Sequence, residues 1–331
     1  MRSGPITICL CGLVSLGNLA AEPAAPVERG TVHFEPLPDK GTVPERYRLA
    51  AHRFDYQMTH KTTFPVSGVR VYHLTFPSPV RSSVPENNTV HAEYYRPDPH
   101  KFREPFPCVI VLDITGGDQK VSRTIASYLA QHGIGGLFVQ MAYYGPRRPP
   151  GSPVRLLSYD YQHTMAAIRQ TVLDLRRATA WMESRPEIDA QRLGVVGTSL
   201  GSFIGTLSAE MEPKLHRVAV LLGGGGLVDV FYDDPRGAAV RRLWEAMGGT
   251  KESLKELIAP VDPITYAENL KERQVLILAA RRDEIVPPQA TEALWRATGQ
   301  QQIIWFDCTH YGAVAHIVPA LKHLVEHFGA E

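Results

Sequence analysis

From Cys108 onward the chain is a succession of short apolar runs, each closed by glycine or polar residues and each parted from the next by a longer stretch. The runs are 109–114, 134–141, 193–196, 218–222, 275–280 and 303–306. The first is β-branched, interrupted only by Asp113 and ended by Gly116-Gly117. Continuous apolar runs of this length are what strands buried on both faces look like. Their alternation with helical stretches implies a mostly parallel central sheet with helices on both faces, an α/β fold. The clearest helix is 161–182, where Tyr161, Met165, Ile168, Val172, Leu175, Thr179 and Met182 recur at steps of four and three and mark one buried stripe. After 218–222, the sixth strand signal once the upstream runs 69–76 and 90–95 are counted, the rhythm pauses. Residues 238–247 and 251–258 look helical, and Pro260 and Pro263 interrupt the stretch beyond them. This insertion, 226–273, exceeds an ordinary crossover and is a candidate cap.

Upstream, 69–76 and 90–95 read as a pair of strands, which sets the start of the main domain near residue 65 and its end at 331. Residues 22–64 are rich in proline, charge and histidine without a sustained period, and read as an N-terminal extension wrapping the domain. Arg2, an apolar run over 6–21 and the Pro/Ala-rich residues 22–26 have the layout of a secretory signal peptide, 1–21, with Ala20 and Ala21 at the cleavage point. The run is shorter than the roughly 20 residues that span a bilayer. A secreted or periplasmic protein with no stable membrane insertion after signal removal is expected. Removal leaves Cys108 and Cys308, neither at metal-ligand spacing, so neither a disulfide framework nor a metal site is implied. Thirty-five Lys and Arg against 34 Asp and Glu give no net field that would draw nucleic acid or an anionic membrane. Asn87-Asn88-Thr89 is a glycosylation sequon, a triplet common by chance. Oligomeric state is not legible.

Gly197-Thr198-Ser199-Leu200-Gly201 follows the run 193–196 and precedes a helical pattern. A G-x-S-x-G pentapeptide in that context is a sharp strand-to-helix turn that lifts a serine hydroxyl above the sheet. A serine hydroxyl needs an imidazole to take its proton and a carboxylate to orient that imidazole. Asp283, in Arg281-Arg282-Asp283-Glu284, follows the run 275–280, and His310, in Thr309-His310-Tyr311-Gly312, follows 303–306. All three leave the same sheet edge, in the order Ser, Asp, His. Glu284 is one residue further from its strand end, Asp307 is too close to His310 in the chain, Asp262 reads as a turn cap, and His316 falls within a helical pattern. Two backbone N–H groups must also face the tetrahedral intermediate. Leu200 supplies one, and Thr115, in the loop after 109–114, is the candidate for the other. The loop 143–153, with Tyr143, Tyr144, Arg147 and Arg148, follows another strand end and is a candidate substrate wall, its arginines suited to gripping a carboxylate or phosphate.

With these residues in view, the chain resembles the α/β-hydrolase superfamily from about residue 66 to 328, and within it the dienelactone-hydrolase-like and acetyl-xylan-esterase-like branch. The similarity lies in Met141-Ala142-Tyr143-Tyr144-Gly145, the serine pentapeptide, the Asp262-Pro263 turn before Asn269-Leu270, Asp283 through Pro288, and Thr309-His310-Tyr311-Gly312. True dienelactone hydrolases use cysteine where this chain has Ser199, so lactone chemistry is not carried over. The resemblance implies no cofactor and hydrolysis of a carboxylic ester, on a small-molecule or carbohydrate-linked acyl group, through an acyl-enzyme. A peptidase or acyltransferase using the same residues is the alternative, and a non-catalytic binding protein on this fold a third.

Overall fold

A computed structural model describes residues 26–37, 42–116 and 118–330; the signal segment 1–21 lies outside the described residues. In chain order the strands are β1 (Val27–Phe34), β2 (His52–Thr63), β3 (Arg70–Pro77), β4 (Thr89–Arg96), β5 (Phe106–Leu112), β6 (Gly135–Val139), β7 (Ile188–Thr198), β8 (Arg217–Leu221), β9 (Gln274–Ala280) and β10 (Gln302–Phe306). They form one sheet in the order β1-β2-β3-β4-β6-β5-β7-β8-β9-β10. Strands β1 to β4 pair antiparallel, β4 meets β6 antiparallel, and everything from β6 to β10 is parallel.

Why β5 reads as a continuous apolar run is visible in its packing. All seven of its residues are buried, and they alternate between two cores, with Cys108, Ile110 and Leu112 on one face and Val109 and Val111 on the other. The first core is covered by α2 (Tyr161–Glu183) and α3 (Leu200–Met211), which contribute Trp181, Ile204 and Leu207. The second is covered by α1 (Lys120–Gln131) and α8 (Ile317–Gly329), through Ile125, Leu129, Leu324 and Phe328. Trp181 is fully buried, so its truncation to alanine is expected to cost about 3–5 kcal/mol. Asp160 caps α2 by accepting the Gln162 and His163 N–H groups.

The residues read as a wrapping extension, 22–64, behave differently: they supply β1 and β2, so the sheet begins at Val27 rather than near residue 65. The reason the pattern hid them is physical. In the twelve residues of β2 only Phe54 and Met58 are buried, because this end of the sheet is covered sparsely and leaves most side chains in solvent. Between β8 and β9 lie α4 (Leu227–Phe231), α5 (Ala238–Ala246) and α6 (Lys251–Ile258). Asp262 pins the base of this insertion by accepting the N–H of Gly226 at 2.9 and 3.0 Å and of Ile264 at 3.2 Å. The remaining helix, α7 (Pro288–Ala297), follows β9. Cys108 and Cys308 are both free and buried.

Candidate active site

Strand β7 ends at Thr198 and α3 begins at Leu200, which leaves Ser199 alone to make the turn, with φ 52° and ψ −118°. A non-glycine residue held there costs about 1–3 kcal/mol, which the surrounding packing must offset. The turn is possible because its flanks are glycines. A Cβ on Gly197 would lie 2.0 Å from the Gly201 carbonyl oxygen, and one on Gly201 would lie 2.4 Å from that of Asp113. Any larger residue at either place would push α3 off the end of β5. The Ser199 N–H is tied to the Leu221 carbonyl at 2.8 Å, so the serine backbone is fixed by the neighbouring strand β8.

Asp283 and His310 leave the adjacent strand ends β9 and β10. Asp283 is buried; its Oδ1 accepts the N–H groups of Ile285 at 2.9 Å and Val286 at 2.7 Å. His310 Nδ1 lies 2.8 and 2.9 Å from the two Asp283 carboxylate oxygens, and its Nε2 lies 3.1 Å from Ser199 Oγ. An ionised carboxylate only accepts, so Nδ1 carries the proton and Nε2 is free to accept from the serine hydroxyl. The competing groups are occupied elsewhere. Asp307 pairs with Arg282 at 2.9 Å, Asp262 caps the insertion, and His316 stacks on Phe306 with ring centroids 5.0 Å apart.

Glu284, weighed in the sequence only as a rival acid, has a separate place. Its Oε2 accepts the backbone N–H of His310 at 3.1 Å, and its carbonyl accepts from Arg236 Nη1 at 2.8 Å. Arg236 is itself held by Asp234, Nε and Nη2 each 2.8 Å from a carboxylate oxygen. The insertion is thereby hydrogen-bonded to the loop that carries Asp283. Nothing in the local sequence signals this, since the partners are 48 residues apart.

Leu200 is the first residue of α3, so its N–H has no carbonyl of its own helix to bond and sits where the helix dipole is positive. Thr115 lies exposed in the turn after β5. That turn is anchored beneath by Asp113, whose Oδ1 accepts the Ser122 hydroxyl at 3.0 Å and whose carboxyl burial holds above its ordinary pKa. Beside it, the Gly116 N–H donates to Tyr144 Oη at 2.9 Å, which puts the half-buried Tyr144 against the Thr115 turn.

Of the other expected substrate residues, Arg147 is corrected. It is fully buried, paired with Asp174 at 2.7 Å, and it donates to the carbonyls of Gln140 and Asn87 at 3.0 and 2.9 Å. A guanidinium placed in a low-dielectric interior is held by a buried counter-charge and carbonyls, and has no face left for a ligand. Tyr143 is buried as well, with φ 62°, its ring 4.7 Å from that of His163 and its N–H donated to Asn87 Oδ1 at 3.0 Å. Asn87, the sequon asparagine, is likewise interior and donates to Gln170 at 2.7 Å. The loop that looked like a binding wall is braced from within; Tyr144 is its member at the Thr115 turn.

Solved structures share this fold. Acetyl xylan esterase 1 from Thermoanaerobacterium sp. is 20% identical, superposes with a TM-score of 0.60 and covers 81% of this chain and 87% of its own. An acetyl xylan esterase from Paenibacillus sp. gives 17% and 0.65 over 82% and 88%, and a dienelactone hydrolase described as putative from Klebsiella pneumoniae gives 18% and 0.52 over 76% and 97%. No curated protein sequence matches the chain. Two family models do, each over more than half of it: the prolyl oligopeptidase family across residues 160–328, and Alpha/beta hydrolase domain containing 18 across residues 41–232. With the ten-stranded sheet and the strained serine turn, these matches make the chain a member of the α/β-hydrolase superfamily, in the part of it that the prolyl oligopeptidase and Alpha/beta hydrolase domain containing 18 families describe.

Proposed function

We propose that this protein is a serine hydrolase that cleaves a carboxylic ester through an acyl-enzyme, with Ser199 as nucleophile, His310 as general base and Asp283 as its orienting acid. The observation that carries the reading is the unbroken chain of contacts at one sheet edge: Ser199 Oγ to His310 Nε2 at 3.1 Å, and His310 Nδ1 to Asp283 at 2.8 Å. His310 Nε2 takes the serine proton as Oγ attacks the ester carbonyl. The new oxyanion is met by the Leu200 N–H and, from the turn after β5, by that of Thr115. Collapse breaks the bond to the alkoxide, which leaves with the proton from His310. Water then enters by the reverse route, and the acid is released with Ser199 restored. Tyr144, beside the Thr115 turn, lines the entrance for the substrate, with Tyr143 behind it.

A small or carbohydrate-linked acyl ester is the substrate class favoured here, supported by the shared fold with two acetyl xylan esterases. The match to the prolyl oligopeptidase family supports peptide cleavage by the same triad as the second reading. Ser199→Ala is expected to abolish hydrolysis of a short-chain nitrophenyl ester while melting as the wild type does, and an organophosphonate should label Ser199 alone. Full turnover in a folded Ser199→Ala protein sinks the assignment. A panel of acetyl, feruloyl and peptidyl substrates separates the two readings. We further propose that the protein works outside the cytoplasm, released by cleavage after Ala21; an exported protein whose first residue is near Glu22 supports this, and an intact Met1 on cytoplasmic protein refutes it.

A further inference from the structure

Away from the serine strand β7 in the sheet order, the antiparallel part of the sheet carries an open cavity of about 580 Å³ lined mostly by polar residues. Its floor is the face of β2, β3 and β4 that bears Lys61, His73 and His91, and its wall is the start of α1 with Gln119 and Arg123. Such a volume is in the range of small-molecule sites, and most of the residues that line it are polar or charged where most such sites are lined by apolar ones.

The hydrogen bonds already made there indicate what the cavity accommodates. Its one carboxylate, Glu93, is used up: it accepts from Arg123 Nε and Nη2 at 2.9 Å each, from Lys61 Nζ, and from Tyr95 Oη at 2.9 Å. Two bonds to each oxygen fill its roughly four acceptor sites. The two cations keep donors that Glu93 does not use, two N–H on Lys61 and the remaining guanidinium N–H on Arg123. Gln119 and Gln140 are clasped to each other, side chain to side chain, at 2.9 Å in both directions. His73 Nε2 and His91 Nδ1 share one hydrogen bond at 3.1 Å, so one outer ring nitrogen donates and the other accepts. The groups that remain are richer in donors than acceptors, and the two cations exceed the single carboxylate by one charge. Glu93 thus serves as an internal counter-ion that holds Lys61 and Arg123 in place.

We infer that this cavity binds an organic anion, a molecule the size of an acidic sugar or sugar phosphate whose carboxylate or phosphate meets Lys61 and Arg123. It is a site distinct from the triad: the sheet order puts β6 and β5 between β4 and the serine strand β7. The two are nevertheless connected. Gln119, at φ 69°, joins the Thr115 turn to α1, four residues from Thr115 itself. A ligand that competes for the Gln119–Gln140 clasp acts on the turn proposed to hold the oxyanion. The anion is either a free effector or an acidic substituent on the ester.

The test is titration of the full chain with inorganic phosphate, D-glucuronate and D-glucose, followed through the imidazole resonances of His73 and His91 and by calorimetry. Phosphate and glucuronate should shift both histidines saturably, with glucuronate the tighter, while glucose leaves them still. Lys61→Gln should weaken both anions at least fivefold, and Ser199→Ala should bind them as the wild type does. Glucose binding as well as the anions, an affinity indifferent to Lys61→Gln, loss of binding in Ser199→Ala, or unmoved histidines at saturating anion would each overturn the proposal. Lys61 is half exposed, so its variant is expected to fold, and the wild-type histidine shifts decide the matter without it. Glucuronate that alters turnover of a neutral ester marks a free effector; faster turnover of acyl-glucuronate than of acyl-glucose, with no effect of free glucuronate, marks a substrate subsite.

Discussion

Side chains that leave the same edge of the sheet are held by a buried carboxylate in two places, yet the two are built for different ends. After β9 and β10, Asp283 holds His310; after β6, Arg147 is held by Asp174. Both pairs are short and buried. The difference is in what is left over. His310 keeps one ring nitrogen outside its pair, and that nitrogen meets Ser199. Arg147 offers nothing outward: its other bonds go to the carbonyls of Gln140 and Asn87, its Nε is left unpaired in the fully buried interior with no nucleophile beside it, and Asp174 also accepts the Ser78 hydroxyl at 2.6 Å. A buried charge with a partner is therefore weak evidence for chemistry; a buried pair with one atom unspent, aimed at a nucleophile, is strong evidence.

That contrast breaks if the two pairs respond alike to mutation. Asp283→Asn keeps the shape of the side chain but favours the wrong imidazole tautomer, and should lower kcat/KM for a nitrophenyl ester by about four orders of magnitude with little change in melting temperature. A loss of activity that merely follows loss of folded protein would make Asp283 another Asp174. Arg147→Met should do the reverse. It strands Asp174, whose carboxyl burial already holds above its ordinary pKa, and should cost about 3–5 kcal/mol in denaturant titration, with kcat per folded molecule unchanged. Arg147→Met with Asp174→Leu should recover most of that stability, because an apolar pair of similar volume leaves no charge unpaired.

Glu284 sharpens the comparison from within the first loop. Its carboxylate meets His310 only at the backbone N–H, so under the proposed assignment it positions the base and does not react. Glu284→Ala should lower kcat about tenfold, or ~1.4 kcal/mol, with KM unchanged, and Glu284→Gln should restore most of it by keeping an acceptor. An equal loss in both variants would mean that the charge matters more than the hydrogen bond.

How much of this was legible depends on how each part is stabilised. The parallel strands declared themselves because both faces are buried, so β5 could be nothing but apolar. Ser199, Asp283 and His310 were legible because a turn needing two glycines, and side chains issuing from strand ends, are local patterns. The strands β1 and β2 were not, since one sparsely covered face leaves only residues such as Phe54 and Met58 to betray them. Arg147 misled for a related reason. A loop arginine looks solvated until a helix 27 residues later brings Asp174 beneath it, and Asn87 looked like a sequon until Gln170 and Tyr143 closed on it. Long-range polar partners leave no periodicity.

The smallest expected effect concerns two half-buried histidines away from the triad. His91 is held down to about 4, by burial, then His73 and then Arg147; His327 is held down to about 4, by burial first and then Arg217. Both stay neutral in the folded protein well below the unfolded value of 6.5. As pH falls from 6.5 toward 4 the unfolded chain takes up these protons and the folded chain does not, so stability declines across that window and the contribution levels off below it. Thermal melts should show this slope, and His91→Gln with His327→Gln should flatten it while leaving kcat for a neutral ester at about pH 7.5, above the unfolded histidine range, unaltered. An unchanged slope would assign the acid sensitivity to other groups. A fallen kcat would carry the influence of the β4 face through Gln119 to the Thr115 turn, and would couple the antiparallel end of the sheet to the triad.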